Sequence, residues 1–481
     1  MANFDNARSL LPTEALQTPK FQNAQKTWKN LSTIFTSHPF LEYKKVLGFG
    51  GFGIVQQWST YNTDGTMGDD IAIKGTIEAG RMEYVNGLKN EIHWSKVFGG
   101  SEHFMQLKDI RSHPLTDGIY NDEKATLPIM IMEVMPNGCL ADVIDRLRVA
   151  KSSVNGNIND DNDKLLEYVP CRILWRIILC MTRACLGMAF PPRPNGSQSP
   201  QEIREEPKPG QAPRRIIHFE YVCGLLSLPR FPLRDSSNGS VEHFLTDVFI
   251  GAIAEVTDVE HAKFPICKWD DNWGREEKEE RSKYGKRSYK PPEQMDRRRI
   301  ADPGVFGVHT NVWGIGLTVM LLIRLRYHFD NGLGHSHDRK LRNGDEINTF
   351  GYTLIDDSHG PVRGANADID LELRETVARC LAGVGSQRPT LEELYNVAIR
   401  NIQDGDQKAR TPAASQQPPN PIHSYRVKLG QPEPDSLLDR FVKNFFLDAA
   451  PMADRFAPYW SKISTPEVET TSDILSSSYV I

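Results

Sequence analysis

The chain has 481 residues, with 57 Lys and Arg against 62 Asp and Glu, and this near-balance at −5 argues against a general nucleic-acid or membrane surface. Its seven cysteines, at 139, 171, 180, 185, 223, 267 and 380, form no C-x-x-C pair, which speaks against a zinc site or disulfide framework and for a reducing compartment. The most apolar stretches, 173–190 and 312–323, are too short or carry Arg176 and Arg183; with no signal peptide at the start, the expectation is a soluble intracellular protein, cytoplasmic or nuclear, with no membrane partner.

Residues 1–42 are polar and mixed, with one helix-like patch at 27–35, and read as an N-terminal extension. From Tyr43 the pattern alternates as strands do, and 61–70 (YNTDGTMGDD) reads as a hairpin tip. Leu88, Ile92 and Val97 recur at helical spacing and predict a helix over 78–99. Two apolar runs, 105–110 and 127–134, complete a small β-rich lobe at 43–135 with one helix. After Met135-Pro136-Asn137-Gly138 the character turns helical: 140–149, 169–190 with Ile173, Leu174, Ile177, Ile178 and Met181 on one face, then 311–325, 368–381 and 390–402. These define a larger, mainly helical lobe at 136–402, and the class is α+β. The Pro/Gly/Ser/Glu-rich stretch 191–213 reads as a disordered insertion.

The 13 histidines show no metal-binding spacing, and His335 and His337 fall in a Gly-rich polar loop, so no metal site is expected. The tail, 403–481, is Pro- and Ser-rich and mostly disordered by composition, except for an amphipathic helix at 435–447. There Leu437, Leu438, Phe441, Val442, Phe445 and Phe446 share a face, and Ser436 and Asp439 form a capping-box pattern. Such a face is expected to dock, either on the chain's own larger lobe or on a partner. There are no internal repeats.

The chemistry-bearing motif lies early. Gly48-Phe49-Gly50-Gly51-Phe52-Gly53-Ile54-Val55 is followed, 21 residues after Gly53, by Lys74 at the end of Ile71-Ala72-Ile73-Lys74. Glycines let backbone N–H groups approach phosphates without a Cβ in the way, and a lysine adds a point charge. Because the glycines sit between two strand-like runs, and not between a strand and a helix, a dinucleotide-binding turn is disfavoured.

These residues resemble a eukaryotic protein kinase domain of fungal Ser/Thr-kinase flavour, over roughly 43–402. The resemblance implies a two-lobed kinase-like fold and ATP as cofactor. Gly48, Gly50, Gly53 and Val55 match the glycine-rich loop, Ala72 and Lys74 the phosphate-contacting strand, and Glu91 the helix glutamate that holds the lysine. Met132-Glu133-Val134-Met135 looks like the hinge between lobes, where backbone groups of Glu133 and Met135 would meet adenine. Further on, Pro291-Pro292-Glu293 resembles A-P-E and Asn311-Val312-Trp313-Gly314-Ile315-Gly316 resembles the D-x-W-x-x-G helix, its Asn retaining an acceptor oxygen. Arg388-Pro389-Thr390 resembles the late arginine motif, implying an Arg388–Glu293 pair with a structural role.

Between these flanks the resemblance breaks. Ile216-Ile217-His218-Phe219-Glu220 is the best match to H-R-D, which leaves Glu220 at the base position, Val222 at the lysine position and Leu225 where the metal-binding Asn belongs. The favoured register puts Ala252-Ile253-Ala254 on D-F-G; a slipped one offers Asp247-Val248-Phe249 without the glycine, and Asp258 is a weaker substitute. Leu225 and Ala252 offer no oxygen to Mg²⁺, so a bound Mg²⁺ is in doubt and phosphotransfer is expected to be impaired. Three readings stay open at this level. One is an ATP-binding member with impaired transfer, acting on or with a protein. Another is a non-catalytic pseudokinase scaffold or interaction protein. The last is an active Ser/Thr kinase whose residues 221–246 are replaced here through a retained intron or frame error.

Overall fold

The computed structural model describes residues 19–36, 38–49, 53–77, 82–108, 121–122, 124, 128–134, 143–148, 168–191, 205–218, 226–227, 249–250, 266–282, 289–296, 298, 300, 302–326, 334–356, 362, 366–410, 427 and 429–447. It is α+β, with a four-stranded antiparallel sheet in the order β1–β2–β3–β4 as its largest. These strands are β1 (Leu41–Phe49), β2 (Gly53–Tyr61), β3 (Met67–Thr76) and β4 (Met130–Glu133).

Both faces of this sheet are covered, because successive side chains of a strand point to opposite sides. On one face lies α1 (Pro19–Thr36). Its Phe21, Ala24, Trp28, Leu31 and Phe35 alternate three- and four-residue spacings into one apolar stripe. They pack with Val46, Ile54, Trp58, Ile71 and Ile73 of the strands. On the other face α2 (Met82–Val97) brings Leu88 and Ile92 against Val55, Ala72, Met130 and Met132. The predicted helix is thus present over a shorter span. Of the two apolar runs expected after it, one yields β4 and the other a single bridge, Leu107 to Met132.

Residues 19–36 pack on the sheet, and the boundary read after 42 falls inside β1. The apolar stripe begins at Phe21, earlier than the patch read from sequence.

The second core is helical. Central to it is α3 (Cys171–Ala189), buried along nearly its whole length. Around it pack α6 (Val308–Arg324), α7 (Leu371–Cys380) and α8 (Leu391–Ala409), which follow the shorter α4 (Arg275–Ser282) and α5 (Pro292–Met295). Thr390 caps α8, accepting from Glu393 N at 3.1 Å while Glu393 accepts from Thr390 N at 2.7 Å, and the helix runs past the expected end at 402 to Ala409. Three two-stranded ladders flank these helices: β5 (Ile216–His218) with β8 (Ile266–Lys268), β6 (Leu226–Ser227) with β7 (Phe249–Ile250), and a hairpin of β9 (His337–Lys340) and β10 (Glu346–Thr349).

Two further expectations change, and a third narrows to one of its alternatives. His337 is the first residue of the β9–β10 hairpin, which turns at Gly344 with φ +92°; Asn343-Gly344 was the available turn signal. The stretch read as a disordered insertion, 191–213, contains an ordered anchor, since Glu205 is buried against Ser101 and His103. Finally, α9 (Asp435–Val442), continued by one π-turn, Lys443–Leu447, docks on the chain's own helices. Leu438, Phe441 and Phe445 join the α3 core, Arg146 Nη1 donates to Phe445 O at 2.6 Å, and Glu433 accepts from Cys171 N and Arg172 N, both at 2.8 Å. Glu433 thereby caps the N-terminus of α3 from 262 residues away. Among the described residues no helix is long and apolar enough to cross a membrane.

Candidate functional site

The site grows from β2 and β3. Val55 pairs with Lys74 and Gly53 with Thr76, which sets the end of the glycine-rich segment beside the lysine. At Gly53 a Cβ would lie 2.8 Å from Gly75 O and 3.3 Å from Lys74 Cε, so close strand approach requires glycine there. Gly48 pairs with Val55 and a Cβ on it would meet nothing, so its reason is not local packing. Gly50 lies outside the described residues.

Lys74 Nζ donates to both carboxylate oxygens of Glu91 on α2, at 2.8 and 2.6 Å. Both side chains are buried, 6% and 7% exposed. A buried ion pair stands only when geometry is good on both sides, and these distances meet that condition. Beside it Val55, Ala72, Met105, Met130 and Met132 form an apolar cluster between sheet and helix, with Leu47, Leu107 and Val134 packed on it.

Glu133 ends β4, pairing with Ile71. Its N donates to Gln106 O at 3.1 Å and its carboxylate accepts from Gln106 N at 2.6 Å. Burial pushes the Glu133 carboxyl up, against the pull of the Gln106 amide. Its amide is therefore spent on Gln106, a partner the sequence did not indicate. Met135 lies outside the described residues.

A second buried pair sits in the helical core. Arg388 Nη1 and Nη2 donate to Glu293 Oε1 and Oε2 at 2.8 and 2.7 Å. Its remaining bonds go to Ala382 O from Nε at 3.0 Å and to His309 O from Nη1 at 2.9 Å. The guanidinium carbon lies 5.0 Å from the Trp313 ring centroid. The pair expected from sequence is present. Asn311 Nδ2 donates to Ile216 O at 2.9 Å, a bond an ionised Asp could not make. It ties α6 to β5, the strand that leads toward Glu220. Glu220 itself, Leu225, Asp247, Ala252 and Asp258 lie outside the described residues, and His218 is placed through its backbone, opposite Ile266.

A cluster that sequence reading missed joins Ser101, His103, Cys180 and Glu205. Glu205 accepts from His103 N at 3.1 Å and also contacts the Ser101 hydroxyl and His103 Nδ1. Burial alone would lower the His103 pKa; contacts with Cys180 and Glu205 outweigh it and push it up to about 10. Glu102, His103 and Glu205 each place one ligand-type atom within 4.8 Å of the others, although Glu205 spends its carboxylate on the bonds just named. Glu205 stands 102 residues from His103 in a low-complexity stretch, so no local pattern could have revealed it.

No protein-family model matches the chain, and no curated protein matches it.

Proposed function

We propose that the chain is a nucleotide-binding protein of the protein-kinase fold, in which the sheet body is the smaller lobe and the helical body the larger. It binds ATP through the 48–55 segment, Lys74 and Glu91, with Val55 and Ala72 against adenine, and its phosphotransfer is impaired. The observation that carries this reading is the buried Lys74–Glu91 pair, set one strand away from a glycine that close approach requires. The donor set fits the ligand: an ammonium for phosphate oxygens, an edge without a Cβ, and an apolar floor.

Three further features support the same reading. Arg388–Glu293 occupies the place the resemblance assigns it. Asn311 pins β5 ahead of Glu220. The β6–β7 ladder ends at Ile250, two residues before Ala252, which suits Ala252 as the D-F-G position. With Leu225 and Ala252 at the metal-ligand positions, no step is routed through Mg²⁺. Glu133 N is engaged by Gln106, so its carbonyl is the group this reading leaves for adenine. Phe441 and Phe445 of α9 are packed on its own body, so that helix is not a face a scaffold would present.

Thermal denaturation of the full chain with increasing ATP, with and without Mg²⁺, tests this. A ligand that binds only the folded state at about 100 times its Kd adds about 2.7 kcal/mol. We expect stabilisation with little Mg²⁺ dependence. No shift at millimolar ATP, or an equal shift in Lys74→Ala, overturns the proposal.

A further inference from the structure

We infer that α1, residues 19–36, is a positioning element for Lys74: it grips β3 on the face opposite the ion pair and so sets where the ammonium sits. This rests on the reading of Lys74 as the nucleotide contact.

Strand alternation puts Ala72 and Lys74 on the α2 face of β3 and Ile73 and Gly75 on the α1 face. The residues flanking Lys74 are therefore the ones α1 touches. A Cβ on Gly75 would lie 2.8 Å from Leu31 Cδ1 and 3.3 Å from Cδ2, so Leu31 fills the space a side chain would take. Thr27 Oγ1 lies 3.3 Å from both Thr76 O and Ile77 O, holding the end of β3. Gln56, which faces Ile73 across the β2–β3 ladder, donates from Nε2 to Trp28 O at 3.1 Å. Trp58 Nε1 in turn donates to Gln56 Oε1 at 3.0 Å. The contacts bracket Lys74 along β3 and across to β2.

The consequence follows from the lysine's own chemistry. Its four-carbon stem is flexible, and an ammonium is a point charge without the rigid fork of a guanidinium. Its position is set by the strand beneath it. Strand pairing fixes β3 within the sheet plane, to Val55 on one side and Met130 on the other. It does little against displacement along the sheet normal. There α2 presses from one side through Leu88 and Ile92, and α1 is the only described element pressing from the other. Loosening α1 lets Gly75 move toward the vacated space and draws Lys74 off Glu91.

The experiment uses the full chain and two readouts. One is the rate at which an amine-acylating reagent modifies Lys74 without nucleotide, mapped by mass spectrometry. The other is the Kd for ATP. Leu31→Ala empties the contact with Gly75, Leu31→Met refills it, and Leu394→Ala, in the helical core, controls for general destabilisation. We expect Leu31→Ala to raise Lys74 acylation severalfold and weaken ATP binding about tenfold, equivalent to about 1.4 kcal/mol. Leu31→Met should return both to near wild type, and Leu394→Ala should leave Lys74 acylation unchanged. Unchanged acylation in Leu31→Ala, or an equal rise in Leu394→Ala, overturns the inference. If the wild-type chain binds no ATP, the nucleotide reading fails by itself, and the acylation arm still decides whether α1 positions Lys74.

Discussion

Two buried acid–base pairs among the described residues have similar closest distances and different character. Lys74–Glu91 and Arg388–Glu293 each close with a shortest contact near 2.6–2.7 Å, and both lie out of solvent. Arg388 uses four of its five N–H donors: two meet Glu293, two reach the carbonyls of Ala382 and His309, and the guanidinium lies over Trp313. Lys74 gives two N–H bonds to Glu91, and among the described residues its third N–H has no partner. Arg388 ties several parts of the helical body together, whereas the Lys74 ammonium hydrogen-bonds Glu91 alone among the described residues.

The largest effects come from breaking each pair. Arg388→Ala leaves Glu293 buried and uncompensated and strips two carbonyls of their donors, so it should cost about 3–5 kcal/mol or prevent folding. Replacing both partners sharpens the contrast. Arg388→Met with Glu293→Leu should stay strongly destabilised, because the carbonyls of Ala382 and His309 remain orphaned. Lys74→Met with Glu91→Leu orphans no described partner and should melt close to wild type. Chemical denaturation of the two double variants checks this, and equal losses in both would remove the distinction.

A third buried contact, His103 with Glu205, extends the comparison to pH. The folded-state pKa of His103 is raised, to about 10, above the ordinary imidazole value of 6.5, so its stabilisation is fully present below pH 6.5 and is lost as pH rises through 10. Over that window the chain should lose roughly 4 kcal/mol, and His103→Gln should flatten the loss. Thermal melts from pH 6 to pH 10 measure it. Unlike Lys74–Glu91, this contact should be indifferent to ATP.

The smallest effect lies at the edge of the site. Gly53→Ala places a methyl 2.8 Å from Gly75 O and should cost about 1–3 kcal/mol through strain in the β2–β3 ladder. Its ATP affinity should fall further than its stability implies. A loss of stability with unchanged affinity would detach Gly53 from the site.

What the sequence made legible follows from locality. Lys74 and Gly53 were readable because a short glycine run and a lysine-ended strand are local patterns, and the lone glutamate within Asn90-Glu91-Ile92 supplied the partner. The α6, α7 and α8 helices were readable from apolar periodicity. Less local features were missed. Glu205 reaches Ser101 and His103 from a stretch whose composition suggests no structure, and Glu433 caps α3 from the far end of the chain. The α1 stripe was local, yet its polar neighbours diluted it: Phe21 and Ala24 stand among Gln22, Asn23, Gln25 and Lys26. Asn311 was assigned its acceptor from sequence, whereas its partner across the fold demands the donor.

The central claim is that Lys74 serves a nucleotide. The most direct measurement is the ATP-induced melting shift of wild type beside that of the Lys74→Met, Glu91→Leu double variant. The account predicts a clear shift in wild type and none in a double variant that melts near wild type without ATP. An equal shift in both proteins would contradict it.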